Sequence, residues 1–163
     1  MLIRPYQPCE ETALLTLFQA SVRNLATHDY TQEQIDAWAP KEITEEMRIQ
    51  WVARIRSNNP WVVEVNSELA GFADLQATGY IDQFFIAPAY ARQGVGSALM
   101  EHLQRLAAGR GIRNLYAHVS LTAQPFFSRH GFSVKEERMV TIRNVVLRNA
   151  LMSKNLDSSC LTG

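Results

Sequence analysis

Apolar residues recur along this chain with two different periods, and the change from one to the other divides it. In CEETALLTLFQASVRNLA (residues 9–26), Leu14, Leu15, Leu17, Phe18 and Val22 fall on one side of a helix. Glu10 and Glu11 stand at its start, where acidic groups suit the positive end of the helix dipole. YTQEQIDAWAP (30–40) reads as a short helix stopped by Pro40. TEEMRIQWVARIRS (44–57) reads as another, with Thr44 as N-cap and Met47, Trp51 and Ile55 on one face. The period then shortens. WVVEV, LAGFADLQA and YIDQFFIAP are rich in β-branched and aromatic residues and are separated by turn formers at Asn66-Ser67 and Thr78-Gly79, the pattern of an antiparallel meander. A helix from about Gly94 follows, with Val95, Ala98, Leu99, Leu103, Leu106 and Ala107 on one face. Beyond it lie a strand (NLYAHVS), a brief helix (AQPFFSRHG) and a closing pair of strands (FSVKEERMV and NVVLRNALMSKN). LIRPYQP supplies a first short strand at the N-terminus.

This order predicts an α+β (mixed α/β) fold, a sheet flanked by helices. The expected organisation is one domain over residues 1–155, followed by a frayed tail over 156–163. Sixteen Lys and Arg balance sixteen Asp and Glu. There is no broad basic field for a nucleic-acid backbone, so no nucleic-acid partner is expected. MLIRPYQPCEET lacks the apolar segment of a signal peptide, and no apolar run approaches the ~20 residues that span a bilayer. The expected location is therefore the cytoplasm, with no membrane partner. Cys9 and Cys160 have no metal-ligand spacing, and no metal is expected.

The chemistry concentrates at AYARQGVGSALM. The stretch lacks the lysine of a P-loop, and Leu99 stands where a dinucleotide fingerprint needs its third glycine. What remains is a strand, a short loop and a helix N-terminus carrying Gly94-x-Gly96. The first-turn N–H groups of a helix lack intrahelical partners, and glycine lets an anion such as a pyrophosphate approach them. The same two glycines also suit a tight strand-to-helix turn with no ligand.

IDQFFIAPAYARQGVGSALM (81–100) resembles the acetyl-CoA signature of the GNAT N-acyltransferases, a strand, a proline, then [RQ]-x-x-G-x-[GA] opening a helix. AQPFFSRHGF (123–132) is similar to the family's A-x-x-F-Y-x-x-x-G-F. YTQEQIDAWAP together with PFF is similar to one bacterial branch. The resemblance implies a central, mostly antiparallel twisted sheet of about six to seven strands, and acetyl-CoA as co-substrate. It implies cofactor contacts from Phe84, Ile86 and Ala87, from Arg92, Gln93, Gly94, Val95, Gly96 and Ser97, and from Ala123, Phe126 and Phe127. Two positions depart from the pattern. Ala91 replaces the usual Arg or Gln, and Phe127 replaces a tyrosine proposed to protonate the leaving thiolate.

The implied reaction is acetyl transfer to a primary amine of a small molecule or peptide, by direct attack in a ternary complex. An alkylamine of pKa ~10.4 is almost wholly protonated at pH 7, a shortfall of roughly 4.6 kcal/mol that a proton acceptor relieves. Strand alternation places Tyr80, Asp82, Phe84 and Ile86 on one face. Asp82 is the candidate base, with Tyr80 or a water able to serve the leaving group; an ion pair or structural hydrogen bond is the other reading of Asp82. The backbone N–H near Ile86 is the expected donor to the acetyl oxygen. Tyr30 and Trp38 are candidates for the acceptor pocket, as core packing is also a reading of Trp38. The loss of the tyrosine keeps a second class open, a non-catalytic acyl-CoA sensor or interaction module. A monomer and a homodimer are both compatible with the sequence.

Overall fold

The structure is a computed structural model, and it is described here for residues 1–156. Strand β1 (Leu2–Pro5) leads into helices α1 (Glu11–Leu25), α2 (Gln32–Trp38) and α3 (Glu45–Asn58). Then come β2 (Trp61–Val65), β3 (Glu68–Ala73), β4 (Tyr80–Ile81) and β5 (Phe84–Ile86), followed by a 3-10 turn at Pro88–Tyr90 and helix α4 (Val95–Gly109). The chain closes with β6 (Asn114–Ser120), α5 (Gln124–Arg129), β7 (Ser133–Ile142) and β8 (Val145–Asn155). The caps follow the local chemistry. Thr31 forms a full capping box with Gln34 at the start of α2, and the Thr44 hydroxyl accepts the Met47 N–H at the start of α3.

The eight strands form two four-stranded sheets, ordered β1-β2-β3-β5 and β4-β6-β8-β7. Every pairing is antiparallel except β4 with β6. The single sheet of six to seven strands expected from the sequence is thus divided, because YIDQFFIAP is not one strand. It pairs with β6 through Tyr80 and Ile81, then crosses at Asp82-Gln83 and pairs with β3 through Phe84–Ile86. The crossing also breaks side-chain alternation. Ile81 packs in the same cluster as Phe84 and Ile86, whereas Asp82 and Gln83 both bond to Asn58 of α3. Tyr80 and Asp82 therefore do not share a face with Phe84 and Ile86. Two consecutive residues turned the same way, as in a β-bulge, invert the pattern.

One helix joins the two sheets. The apolar side of α4 (Val95, Leu99, Met100, Leu103, Ala107) lies in a cluster with Val63 and Ala70 of the first sheet and with Leu115, Ala117 and Ala150 of the second. On the opposite side of the first sheet, α1 and α3 bury Leu14, Trp51 and Ile55 against Val62 and Phe72. The Trp51 indole N–H donates to the Glu11 carbonyl at 2.8 Å, which locks those two helices together. Of the tail expected from residue 156, the first residue is tied to the fold. Leu156 is buried and its N–H donates to the Arg113 carbonyl at 2.7 Å, while the rest of the tail, with Cys160, lies outside the described residues.

Candidate active site

Because β4 and β5 belong to different sheets, the sheets part between β5 and β6. The backbone there is not used up. Ala87 N–H donates to the Ala70 carbonyl, so the alternation of an antiparallel ladder directs Phe85 and Ala87 to β3. The N–H groups of Phe84 and Ile86 point instead to the open edge, since β5 has no second neighbour. A cavity of about 340 Å³ lies along this opening, with Phe84, Ile86, Ser120 and Phe127 on its walls. Its far wall comes from α1 through Ser21, Val22, Leu25 and Ala26, a contribution the sequence did not reveal.

The glycine loop closes one end. Arg92 (φ 60°) and Gly94 (φ 82°) both take the left-handed conformation, and the Gln93 amide braces the loop by donating to the Ala89 carbonyl at 2.8 Å. Helix α4 begins here, with Ala98 the first residue whose N–H returns to Gly94 O, so the N–H groups of Val95, Gly96 and Ser97 are free to face a ligand. The two glycines do different work. A side chain on Gly94 would meet nothing within 4 Å, but its φ excludes one; a Cβ on Gly96 would stand 3.3 Å from the Phe126 ring. Gly96 therefore lets α5 lie close against the start of α4. The Ser97 hydroxyl lies 3.1 Å from His130 Nε2 and adds a second tie between them.

Of the remaining sequence candidates, Ala123, Phe126 and Phe127 line the cavity. Phe127 is 3% exposed and packs edge-on against Phe84 and Phe132, so it is both wall and core. Val95 turns its side chain into the core, and Ala87 turns to the α1–α3 side. Neither side chain reaches the cavity.

A second cavity, of about 440 Å³, lies on the other side of the parting and is lined by Tyr30, Trp38, Tyr80, Asp82 and His118. A narrow opening of about 60 Å³ lies between the two. Trp38, Phe85 and Ser120 line all three spaces, so this is one passage from the glycine loop to the second cavity. Tyr30 is a fixed part of its wall. Its hydroxyl donates to the Arg148 carbonyl at 2.6 Å and accepts the Leu121 N–H at 2.9 Å, leaving little capacity for a ligand.

The polar groups at the junction are ordered by charge. Arg54 grips both oxygens of Asp82, at 2.7 and 3.0 Å, and Asn58 adds a third bond at 2.7 Å. Burial pushes the Asp82 carboxyl up, but the Arg54 and Asn58 bonds outweigh it and hold the group below its ordinary value. The Tyr80 hydroxyl lies 3.2 Å from His118 Nδ1. Burial, and then the nearby Arg138 charge, push the His118 imidazole down, so the ring is neutral at pH 7. Beneath them Asp74, fully buried, accepts the backbone N–H groups of both Asp82 and Gln83. Neither Arg54 nor Asp74 carried a sequence signal, since each matters only through contacts across the fold. Among the described residues, no cluster of His, Cys, Asp or Glu could hold a metal, and no helix is long and apolar enough to cross a membrane.

This arrangement has relatives. Residues 26–144 match the acetyltransferase (GNAT) domain family. The chain is 33% identical over 150 residues to the N-acetyltransferase YafP of Escherichia coli K12, itself uncharacterized, covering 92% of this chain and 93% of that one. A GCN5-related N-acetyltransferase from Rhodopseudomonas palustris superposes with a TM-score of 0.88 at 30% identity, over 95% of each chain. PaiA N-acetyltransferase of Thermoplasma acidophilum, solved with coenzyme A, shares the fold at a TM-score of 0.67 and 18% identity, over 95% of this chain and 99% of that one. The chain belongs to the GNAT family of acetyltransferases and is an acetyl-CoA-dependent N-acetyltransferase.

Proposed function

We propose that this enzyme acetylates a primary amine of a small molecule or peptide by direct attack, with acetyl-CoA and the amine bound together. One observation carries the reading. The passage between the parted sheets joins a phosphate-ready helix N-terminus on one side to a separate aromatic and polar cavity on the other. The cofactor fits this layout, because the open space at Gly94 and the free N–H groups of α4 suit its pyrophosphate and the apolar walls suit its pantetheine arm. PaiA, of the same fold, holds coenzyme A. When bound, the cofactor supplies an acetyl thioester.

The chain's own groups then do the rest. The Ile86 N–H, aimed at the open edge, is placed to donate to a carbonyl oxygen. Phe126 and Phe127 keep water from the passage. For the proton, the geometry favours the Tyr80–His118 pair over Asp82. The imidazole is neutral and can accept, whereas Asp82 is already bound three times and held ionised. Asp82 then serves to fix Arg54 and the crossing strand. No tyrosine is needed at Phe127, because a thiol of pKa near ~8.5 leaves adequately as thiolate.

The test is an amine panel with acetyl-CoA, following release of the CoA thiol, with initial rates at several concentrations of both substrates. Intersecting double-reciprocal lines are expected for a ternary complex. Parallel lines would indicate a covalent acetyl-enzyme, and a protein that binds acetyl-CoA but releases no thiol with any amine is a sensor.

A further inference from the structure

The walls of the second cavity carry a charge imbalance. Two guanidinium groups stand on it, those of Arg54 and Arg143, against one acid, Asp82, whereas Arg148 meets it through its backbone, since alternation along β8 turns its side chain to the face of Ala150 and Met152. The bidentate pair with Asp82 neutralises Arg54. Arg143 has no carboxylate: among the described residues it makes no salt bridge. Arg143 is also held in place. It sits on the turn between β7 and β8, and its Nη1 donates to the Ala37 carbonyl at 2.6 Å, so the guanidinium is anchored with its remaining N–H groups unused among the described residues. Phe18, Trp38, Trp51 and Phe85 supply a broad apolar wall opposite these charges.

We infer that the acetyl acceptor is a small amine on an apolar or aromatic frame that also carries a carboxylate, and that Arg143 reads that carboxylate. This rests on the amine-acetylation reading above. A guanidinium anchored at one nitrogen presents a planar donor array that suits a carboxylate and loses little freedom on binding it. The aromatic wall takes the carbon frame. The same uncompensated positive charge disfavours a protonated amine, so it helps deliver the acceptor in its reactive neutral form. It equally disfavours polyamines, whose several charges would meet a wall of like sign.

The test uses matched amines that differ only in the carboxylate, such as L-phenylalanine with 2-phenylethylamine and L-leucine with 3-methylbutylamine, and spermidine as the polycation. The ratio of kcat/KM within a pair is measured for the wild type, Arg143→Gln, Arg148→Gln and Arg143→Lys. Comparing ratios across variants cancels the intrinsic nucleophilicity of each amine. The wild type should prefer the carboxylate member about tenfold or more, the scale of one charged hydrogen-bond pair. That ratio should collapse toward one in Arg143→Gln and recover in part with Arg143→Lys, while Arg148→Gln keeps it. A retained thermal shift with acetyl-CoA shows that each variant is folded and binds its co-substrate. Equal use of the carboxylate-free amines or of spermidine overturns the inference, as does a ratio that Arg143→Gln leaves unchanged. If no amine of any kind releases CoA although acetyl-CoA binds, the amine-acetylation reading itself fails and this inference falls with it.

Discussion

The Asp74 carboxylate, with no exposed surface, accepts the backbone N–H of Gln83 at 2.6 Å. Its other oxygen takes the Asp82 N–H at 3.1 Å and the Gln76 side chain at 2.6 Å. Two successive N–H groups are thus collected by one side chain where the chain leaves one sheet for the other. The crossing between the sheets is held by a carboxylate.

Removing that carboxylate should be costly. Asp74→Ala leaves two buried N–H groups without acceptors, a loss of roughly 2–5 kcal/mol in denaturant unfolding. Loss of less than about 1 kcal/mol would mean that the crossing is held by packing alone.

Asp74 and Asp82 are adjacent in space but respond to acid with opposite sign. Burial raises the Asp74 pKa although its hydrogen bonds pull down, so its share of stability is full below its unfolded pKa and is lost as pH rises through the folded value. For Asp82 the folded pKa is depressed, so its share is present above the unfolded value of about 3.8 and is lost as pH falls through the folded one. Relative to the wild type, Asp74→Asn should therefore look more damaging at pH 3 than at pH 7, and Asp82→Asn less damaging. Urea unfolding at both pH values measures the two differences, and like trends in both variants would contradict the assignment.

The two glycines should fail differently. Acetyl-CoA at ~100 times its dissociation constant should stabilise the wild type by about 2.7 kcal/mol. Gly94→Ala forces a Cβ onto φ 82°, a strain of roughly 1–2 kcal/mol in the free protein, with no clash. Gly96→Val instead displaces Phe126, which deforms the cavity wall and should reduce the ligand-induced shift more than Gly94→Ala does. Thermal melts with and without acetyl-CoA separate the two.

His118→Ala should lower turnover about 10²-fold near pH 7 if the imidazole accepts the proton. The deficit should shrink as pH approaches the pKa of the amine, where an acceptor is no longer needed. A deficit that is the same at every pH would assign His118 to positioning Tyr80.

Phe127→Ala should cost roughly 3–5 kcal/mol of stability, because a ring that is 3% exposed leaves a cavity between Phe84 and Phe132. It should also raise the KM for acetyl-CoA, since the ring lines the passage. An unchanged KM beside the stability loss would make the residue core only.

The sequence alone determined the elements and the glycine loop, because both are local. Periodicity places α1 through α5 and the long closing hairpin, Thr44 marks the start of α3, and Gly94 is favoured by the backbone conformation at its own position. The junction around Asp82 was not local. Alternation put Tyr80, Asp82, Phe84 and Ile86 on one face, and it fails because the buried Asp74 carboxylate bends the strand between them. Whether Asp82 is a free base or an anchored one depends on Arg54, 28 residues earlier, and its partner is set by how α3 docks on the first sheet. Likewise, α1 forms a wall of the first cavity and Arg143 stands at the second only because packing brings distant segments there. Hydrophobic period and turn chemistry act over a few residues and can be read from the chain. Charge pairing and burial act through space, and only the tertiary fold decides them.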